Sequence, residues 1–498
     1  MRLFTALSLF LLLACSPADA QEADPRATSR DAAAADTVQS REVDVSADLL
    51  EGDVQNGEAV RRLVGNVRLR QEDTRLRARR AVQFLERREI LFTGDVLVVE
   101  RGDSLRADTV LYNSREKTGR ASGNVQLSDG DVVVRAPSGL YFTRQKRAEF
   151  TEGVTLVDST AVLSSRAGQY WSDEKRAEFY GDVELQEHRT YLEADSVTYL
   201  RETDISHARG NVFIERMDEG VDADSLSRSL LFGDSAYNED STEYSRIEGE
   251  PLLVRLRQDS LGARVDTLLI RAGRLESSRI DSLQRLVAVD SVRIWQHELA
   301  AVADSVVYDR LDLEGRPPAD FVRLFDGPVA WFENNQVSGD TLRTRGRDGS
   351  IDSLFVEGSA FVARRDSALE KINQLRGRHL RAAFEEDSLR TLAIGPQAEA
   401  INFRTDADGA PAGAVRMSAD FITFRFGGDD LERIEAVRDP EGTYYGEGTA
   451  PEEMSLEGFL WMPERRPTRA GLLRDAEIPL PDLDVAWMRL TETSEPTD

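Results

Sequence analysis

The sequence predicts an all-β repeat fold, and three observations support this prediction. Polar and apolar residues alternate with a period of two, as in "NVRLR" (66–70), which indicates half-buried strands. Polar turn sequences such as "QEDT" (71–74) and "ERRE" (86–89) return about every 14 to 15 residues. A valine shortly after a glycine recurs every 29 residues, at Val67, Val96, Val125, Val154, Val183 and Val212. A fixed period of this size indicates units that bury their apolar faces against one another.

Each 29-residue unit contains two turns, and the strand between two turns has a place where the chain can bend. Glycine or Ala-Asp stands near the middle of the strands, as at Gly94, Gly123 and Ala107-Asp108. A hairpin of two bent strands, each contributing one half to each of two facing sheets, fits this pattern. A three-sided parallel β-helix has a similar coil length. Periodicity does not give strand direction, so both geometries remain open at this level.

The N-terminal sequence predicts export from the cytoplasm. Arg2, an apolar stretch over 7–14 and the small-residue pattern Ala18-Asp19-Ala20 indicate a signal peptide that is cleaved after residue 20. The only cysteine, Cys15, follows Leu-Leu-Ala, which is also typical of a lipoprotein processing site. Removal and lipidation of Cys15 are therefore alternatives. Neither allows a disulfide within the chain.

Composition and charge argue against nucleic-acid binding and against catalysis. The net charge of −27 repels polyanions. The four histidines are scattered, without a pair at a metal-ligand spacing, and no phosphate-binding glycine loop or nucleophile elbow is present. We therefore expect no enzyme, no metal and no cofactor.

The second half of the sequence continues the pattern less regularly. The 29-residue step fails after Ile214, and looser repeats return at segments such as "VDSVRIW" (289–295) and "DGPVAWFE" (326–333). Residues 367–389 fit a helical connector, an elongated turn or a strand pair. The aromatic segment "GFLWMPERRP" (458–467) is expected to cap the last repeat, with docking on a partner as the alternative.

Two facing apolar sheets either fill the space between them or leave room for an apolar ligand. Small inner residues favour the second outcome, and they are Ala78, Ala107, Ala136, Gly139 and Gly168. The arginines on the opposite face predict contact with anionic head groups or an acidic partner, or else a solvated surface; they are Arg68, Arg70, Arg75, Arg77 and Arg79.

The repeats resemble a known family. "GNVRLRQEDTRLRARRAVQFLERREILFTGDV" (65–96) and "GDSLRADTVLYNSREKTGRASGNV" (102–125) are similar to repeats of the OstA-like (organic solvent tolerance) proteins, periplasmic bridge components of lipopolysaccharide transport. The resemblance is strong over 45–218 and weaker to about 445. It implies an elongated, partly open β-jelly roll, V-shaped and built from antiparallel bent hairpins, in two consecutive segments.

The resemblance also implies a function. The apolar groove would bind acyl chains of lipopolysaccharide or a related glycolipid and help to carry them across the periplasm to the outer membrane. Related β-jelly-roll components at the inner and outer membranes, and an end-to-end homo-oligomer, are the implied partners. The predicted groove-lining residues are Val67, Leu69, Val96, Val98, Val125, Leu127, Val154, Leu156, Val183, Leu185, Val212 and Ile214.

Two other functions remain as alternatives. A β-solenoid spacer or adhesin of the cell envelope would have a filled core, and a polysaccharide-active β-helix enzyme would need a carboxylate cluster on one face. The expected organisation is a signal peptide (1–20), a disordered leader (21–44), an OstA-like β-repeat domain (45–218), an irregular connector (219–275), a second OstA-like domain (276–445), and a C-terminal cap with an acidic tail (446–498).

Overall fold

The computed structural model of the 498-residue chain describes residues 44–476, apart from short internal gaps. These gaps are 72–73, 101, 129, 131, 160, 188, 220–225, 259–264, 298, 314, 348–349, 386–387, 407–409, 428–429, 450 and 452–453. The predicted signal peptide, Cys15, the predicted leader up to residue 43, His188 and the tail after residue 476 lie outside the described residues.

The described residues form an all-β fold in which every pairing is antiparallel. The predicted fold class is confirmed, and antiparallel pairing excludes the parallel β-helix. The 34 strands of the described part are β1 Asp44–Ser46, β2 Leu49–Gln55, β3 Glu58–Gln71, β4 Thr74–Phe84, β5 Glu89–Glu100, β6 Asp103–Asn113, β7 Thr118–Ser128, β8 Val133–Phe142, β9 Arg147–Phe150, β10 Val154–Val157, β11 Ala161–Ser165, β12 Ala167–Trp171, β13 Arg176–Glu187, β14 Thr190–Leu200, β15 Ile205–Glu219, β16 Leu226–Glu239, β17 Tyr244–Glu248, β18 Leu252–Gln258, β19 Val265–Arg271, β20 Arg274–Ile280, β21 Leu283–Gln296, β22 Leu299–Leu311, β23 Ala319–Phe325, β24 Val329–Phe332, β25 Asn335–Ser338, β26 Thr341–Arg347, β27 Ser350–Asp366, β28 Lys371–Glu385, β29 Ser388–Gly395, β30 Ala398–Thr405, β31 Pro411–Ala419, β32 Phe421–Gly427, β33 Asp430–Val437 and β34 Glu441–Tyr445.

Helical structure is limited in the described part of the chain. It consists of the 3₁₀ turns Asp240–Thr242 and Pro463–Arg465 and one α-helix, α1, at Arg469–Asp475. No helix among the described residues has the length and apolar character that a bilayer crossing requires.

The long strands are bent at a bulge, as the sequence predicts. The pairing of β3 with β4 shifts between Val64 and Val67, and the pairing of β4 with β5 shifts between Arg77 and Arg80. Each strand is thereby divided into two halves that pair separately with their neighbours. We call the set of halves that contains Val67 arm 1 and the set that contains Phe92 arm 2. The line of bulges, which we call the corner, separates the two arms.

Left-handed backbone and matched side-chain pairs define the corner. Gly65, Gly94, Gly123, Gly181 and Gly210 have φ between +75° and +83°, and the Asn or Asp that follows each of them has positive φ as well. This conformation suits glycine, asparagine and aspartate best. Each corner Asn or Asp pairs with a side chain at the neighbouring corner: Asn66 with Asp48, Asp95 with Arg79, Asn124 with Asp108, Asp182 with Arg166, and Asn211 with Asp195. A corner aspartate therefore meets arginine, and a corner asparagine meets aspartate.

Replacing Gly123 with alanine is expected to lower the free energy of unfolding by about 1–3 kcal/mol. Gly123 has φ +75°, and an added Cβ would lie 2.3 Å from Oδ2 of Asp108. Gly119 of the same strand is the matched control, because it lies outside the left-handed region and its added Cβ would have no neighbour within 4 Å. Urea unfolding of Gly123→Ala and Gly119→Ala measures the difference. Equal stability of the two variants would contradict this account of the corner.

The described residues form two compact units, an N-terminal unit up to Asn211 and a C-terminal unit from Val212. The boundary falls inside β15 and before the predicted limit at residue 218.

Residues 219–275 are not an irregular connector, since they contain β16 to β19. β16 pairs with β17 over 235–239 and with β18 over 227–232, so β17 and β18 together take the place of one bent strand. That strand is interrupted at 249–251, where Pro251 lacks a backbone donor. Gly249 and Glu250 repeat the left-handed pair of the earlier corners, with φ +89° and +50°. Gly249 follows Gly210 by 39 residues instead of 29, so the step is lost through longer hairpins while the hairpin architecture continues.

Residues 367–389 form a strand pair rather than a helix. β27 ends at Asp366, and β28 runs over Lys371–Glu385 and pairs back with β27. The sequence alone leaves this choice open.

The C-terminal segment 454–476, which we call the strap, lies across arm 1 of the C-terminal unit. Leu472 and Leu473 of α1 pack on Leu252 and Leu269, while Leu456 packs on Phe361. This differs from the predicted cap on the last repeat. Large apolar side chains near the last strands stay exposed instead, including Leu431 at 49 % and Tyr444 at 61 %.

Candidate functional site

A cavity of 360 Å³ lies between the two arms of the N-terminal unit. Val98, Leu105 and Leu127 line it from arm 1. Phe150 and Tyr170 line it from arm 2. Its volume falls within the range of about 300–1,000 Å³ that is typical of small-molecule sites.

Strand alternation explains the apolar interior of this cavity. In β7, Val125 and Leu127 point between the arms, and Gln126 between them is exposed to solvent. Small residues on arm 2 leave space, since Ala121 pairs directly with Gly139. The backbone at Gly139 lies so close to the ring of Phe150 on the adjacent strand β9 that an added Cβ would be 3.0 Å from it. The space is thus bounded by apolar side chains and by bare backbone.

The mouth of the cavity is polar. Nζ of Lys146, at a hairpin tip of arm 2, donates to Oδ1 of Asp173 at 2.7 Å. Glu100 and Asp103, at the turn end of arm 1, also line the cavity. Burial, followed by the charges of Glu100 and Asp103, raises the pKa of the Tyr141 phenol, and the hydrogen bond with Ser172 opposes this rise. The mouth is therefore acidic, with one lysine among its described lining residues.

The predicted groove residues fall into two rows. The valines at the 29-residue step are buried close to the corner, while Leu69, Val98, Leu127, Leu156 and Leu185 are half-buried and lie farther out along arm 1. Val98, Val125 and Leu127 line the cavity. Val212 and Ile214 are buried and belong to the C-terminal unit. Whether any of the twelve residues contacts a ligand stays a prediction.

The predicted groove residues do not include the cavity wall that arm 2 contributes. Tyr141, Phe150 and Tyr170 supply it from arm 2, and the polar mouth adds Lys146 and Asp173. A signal for this wall is present in the sequence, because tyrosines recur at the 29-residue step, at Tyr112, Tyr141, Tyr170 and Tyr199. The acidic mouth has no comparable periodic signal, since turn residues vary from unit to unit.

The C-terminal unit has a closely packed interior. Ile247, Leu275, Tyr308 and Val356 are each 0 % exposed. The Tyr308 hydroxyl lies 2.6 Å from Oδ1 of the buried Asp320, and burial together with this carboxylate raises the tyrosine pKa. A filled interior with a buried polar pair is typical of a structural core.

The described residues contain no group of three or more His, Cys, Asp or Glu side chains placed to hold a metal ion. Of the four histidines, His188 lies outside the described part.

The N-terminal unit is the part of the chain that is similar to a known protein family. Residues 42–195 match the family model described as "OstA-like protein". We refer to residues 42–195, which are similar to this family, as the OstA-like domain. All residues that line the cavity fall within this OstA-like domain. No curated protein sequence matches the chain.

One solved structure similar to part of the chain is LptH from Pseudomonas aeruginosa, described as the LptA-homologous periplasmic component of the lipopolysaccharide transport device. It is 13 % identical to this chain, and the match covers 34 % of this chain and 82 % of LptH with a TM-score of 0.14. A score this low does not relate the two folds in detail. The fold of the OstA-like domain rests on its own strand pairing.

Proposed function

We propose that the OstA-like domain binds acyl chains of lipopolysaccharide or a related glycolipid between its arms and helps to carry them across the periplasm to the outer membrane. The observation that carries this proposal is the 360 Å³ apolar cavity with a polar mouth inside the OstA-like domain. The family match over residues 42–195 supports the same direction, because the OstA-like proteins that the repeats resemble are bridge components of lipopolysaccharide transport.

The energetics favour a sheltered acyl chain. Each methylene taken out of water contributes about 0.8 kcal/mol, so even five buried methylenes contribute about 4 kcal/mol. The head group would remain in water beyond the mouth, near Lys146, because Glu100, Asp103 and Asp173 disfavour a phosphate placed deeper.

Localisation and partners follow from the same proposal. The N-terminal signal would export the chain to the periplasm, with Cys15 either removed or lipidated as a membrane tether. The terminal strand β2 carries exposed Leu49, Leu50 and Val54, and such an edge suits pairing with a related β-jelly-roll component at either membrane or with a second copy.

A photoreactive side chain at Leu127 tests the proposal. Leu127 faces the cavity, and its neighbour Gln126 faces solvent on the same strand. We expect irradiation in cells to yield a lipopolysaccharide adduct at position 127 and none at position 126. Equal capture at both positions, or capture at position 126 alone, would sink the proposal.

For the C-terminal unit, the closely packed interior supports a second role. Ile247, Leu275 and Tyr308 are among its fully buried side chains. We propose that this unit is a structural spacer rather than a second lipid groove. The same photoreactive group placed at an inner position such as Val306 would then give no lipid adduct.

A further inference from the structure

The outer face of arm 1 differs between the two units. Val67 and Val292 each begin an arm 1 half-strand, so the residues three positions later occupy equivalent places. These residues are Arg70 in the N-terminal unit and Trp295 in the C-terminal unit. Arg70 is exposed, whereas Trp295 packs with Ala300, next to it in the register, in an apolar cluster. In the C-terminal unit the solvent side of arm 1 has therefore become a second apolar face.

The strap covers this second face. Leu456 packs on Phe361, Ala363 and Ile401, and Met462 packs on the cluster of Trp331. At the far end, the two leucines of α1 complete the cluster on β16, β18 and β19. This accounts for strands that are buried on both faces, such as the uninterrupted run 252–256.

Two glutamines bind the strap backbone with the same geometry. Nε2 of Gln374 donates to the carbonyl of Met454 at 3.3 Å, and its Oε1 accepts from the amide of Leu456 at 2.8 Å. Nε2 of Gln336 donates to the carbonyl of Leu460 at 2.7 Å, and its Oε1 accepts from the amide of Met462 at 2.9 Å. Each side chain thus binds residues i and i+2 of an extended peptide.

The two glutamines stand in one row across arm 1. Gln336 pairs with Ala363 of β27, and Ala363 pairs with Gln374 of β28. The glutamine side chains are 1 % and 5 % exposed, which is unusual for amides on the solvent side of a sheet. A side-chain amide buried among apolar side chains is costly unless it is hydrogen-bonded, and the strap backbone supplies hydrogen-bond partners to both glutamines.

Charged contacts hold the strap at both ends. Arg376 donates to the carbonyl of Glu457 at 2.9 Å and to its carboxylate at 3.0 Å. Arg293 donates to the carboxylate of Asp475 at 2.8 Å. Main-chain recognition, apolar anchors and terminal ion pairs together are the features of a bound peptide.

We propose that the outer face of arm 1 in the C-terminal unit is a peptide-binding site whose resident ligand is the strap, and that the bound strap prevents self-association through this face. The glutamine row recognises the backbone, and the apolar clusters take the Leu and Met side chains. Without the strap, an apolar face crossing several strands would meet water, and such faces associate. This inference does not depend on lipid binding by the OstA-like domain.

The test uses the full-length protein with a protease site inserted at the turn of Gly446–Thr449. After cleavage, we expect the C-terminal fragment to stay with the body on size exclusion, and the complex to elute like the uncleaved protein. In Gln336→Ala/Gln374→Ala, retention of the fragment should fall by at least about tenfold, since four hydrogen bonds are removed, and the stripped body should elute as a larger species than the uncleaved protein.

Gln126→Ala is the matched control, because Gln126 is an exposed amide on arm 1 of the other unit. Circular dichroism before cleavage checks that every variant is folded while the strap is still linked. A labelled synthetic peptide covering residues 451–478 should bind the stripped wild-type body and restore the elution volume of the uncleaved protein. The inference is overturned if the fragment stays bound equally in the double variant, or if the stripped body elutes as no larger a species than the uncleaved protein.

Discussion

Replacing Leu127 with tryptophan is expected to lower lipid capture at a photoreactive residue 98 by on the order of 100-fold. The larger side chain enters the 360 Å³ cavity and displaces about four methylenes of an acyl chain. At about 0.8 kcal/mol each this removes about 3 kcal/mol, or two orders of magnitude in affinity. The measurement is the yield of lipopolysaccharide adduct at position 98 in the two backgrounds.

Gln126→Trp is the control for this experiment, because it places the same indole on the solvent side of the same strand. Thermal unfolding separates loss of binding from loss of structure, since overpacking by itself costs about 1–3 kcal/mol. Undiminished capture in a folded Leu127→Trp protein would show that lipid does not occupy this cavity.

Replacing Arg228 with methionine is expected to lower the free energy of unfolding by about 3–5 kcal/mol. Arg228 of β16 forms an ion pair with Glu215 of β15, and the two side chains are 2 % and 1 % exposed. Removing the guanidinium leaves the buried carboxylate of Glu215 without this counter-charge, and the desolvation cost of the carboxylate remains. Urea unfolding followed by circular dichroism gives the value.

The double variant Arg228→Met/Glu215→Leu is the decisive comparison. Replacing both charges of a buried pair with apolar groups of similar volume is often neutral, so most of the lost stability should return. If the double variant is no more stable than Arg228→Met, the loss arises from packing of the arginine stem and not from the uncompensated charge.

The sequence allows the N-terminal unit to be predicted in some detail. Identical spacing from Val67 to Val183 identifies the strands, and the glycine before each valine identifies the corner. The direction of the strands could not be predicted from periodicity, because a period of two is the same in parallel and antiparallel sheets. Antiparallel pairing was implied only by the family resemblance, and the paired registers now establish it.

The C-terminal unit is harder to predict, and the 39 residues between Gly210 and Gly249 show the reason. Longer hairpins change the spacing but not the pairing, so a search for one fixed step loses the repeat while the architecture persists. The run "LLVRL" at 252–256 indicates a strand buried on both faces. The periodicity of this run does not show that the strap covers its second face, because the strap is far away in the sequence.

The predicted site residues cover one wall of the cavity only. The pattern Val-x-Leu was selected for its regular spacing, and it lies on arm 1. The facing wall depends on which tyrosines and phenylalanines the bend brings opposite, as with Phe150 and Tyr170. Lys146 and Asp173 meet because neighbouring hairpin tips lie side by side, which only the register reveals.

Because of the strap, the two units can complete their folding at different stages of synthesis. In the N-terminal unit, strands pair with partners that are close along the chain, so its hairpins can close one after another as the polypeptide emerges. In the C-terminal unit, Leu252 packs in a cluster with Leu473, which is synthesised 221 residues later. Until then this apolar face of the sheet is exposed, and transiently exposed apolar surface promotes aggregation during folding.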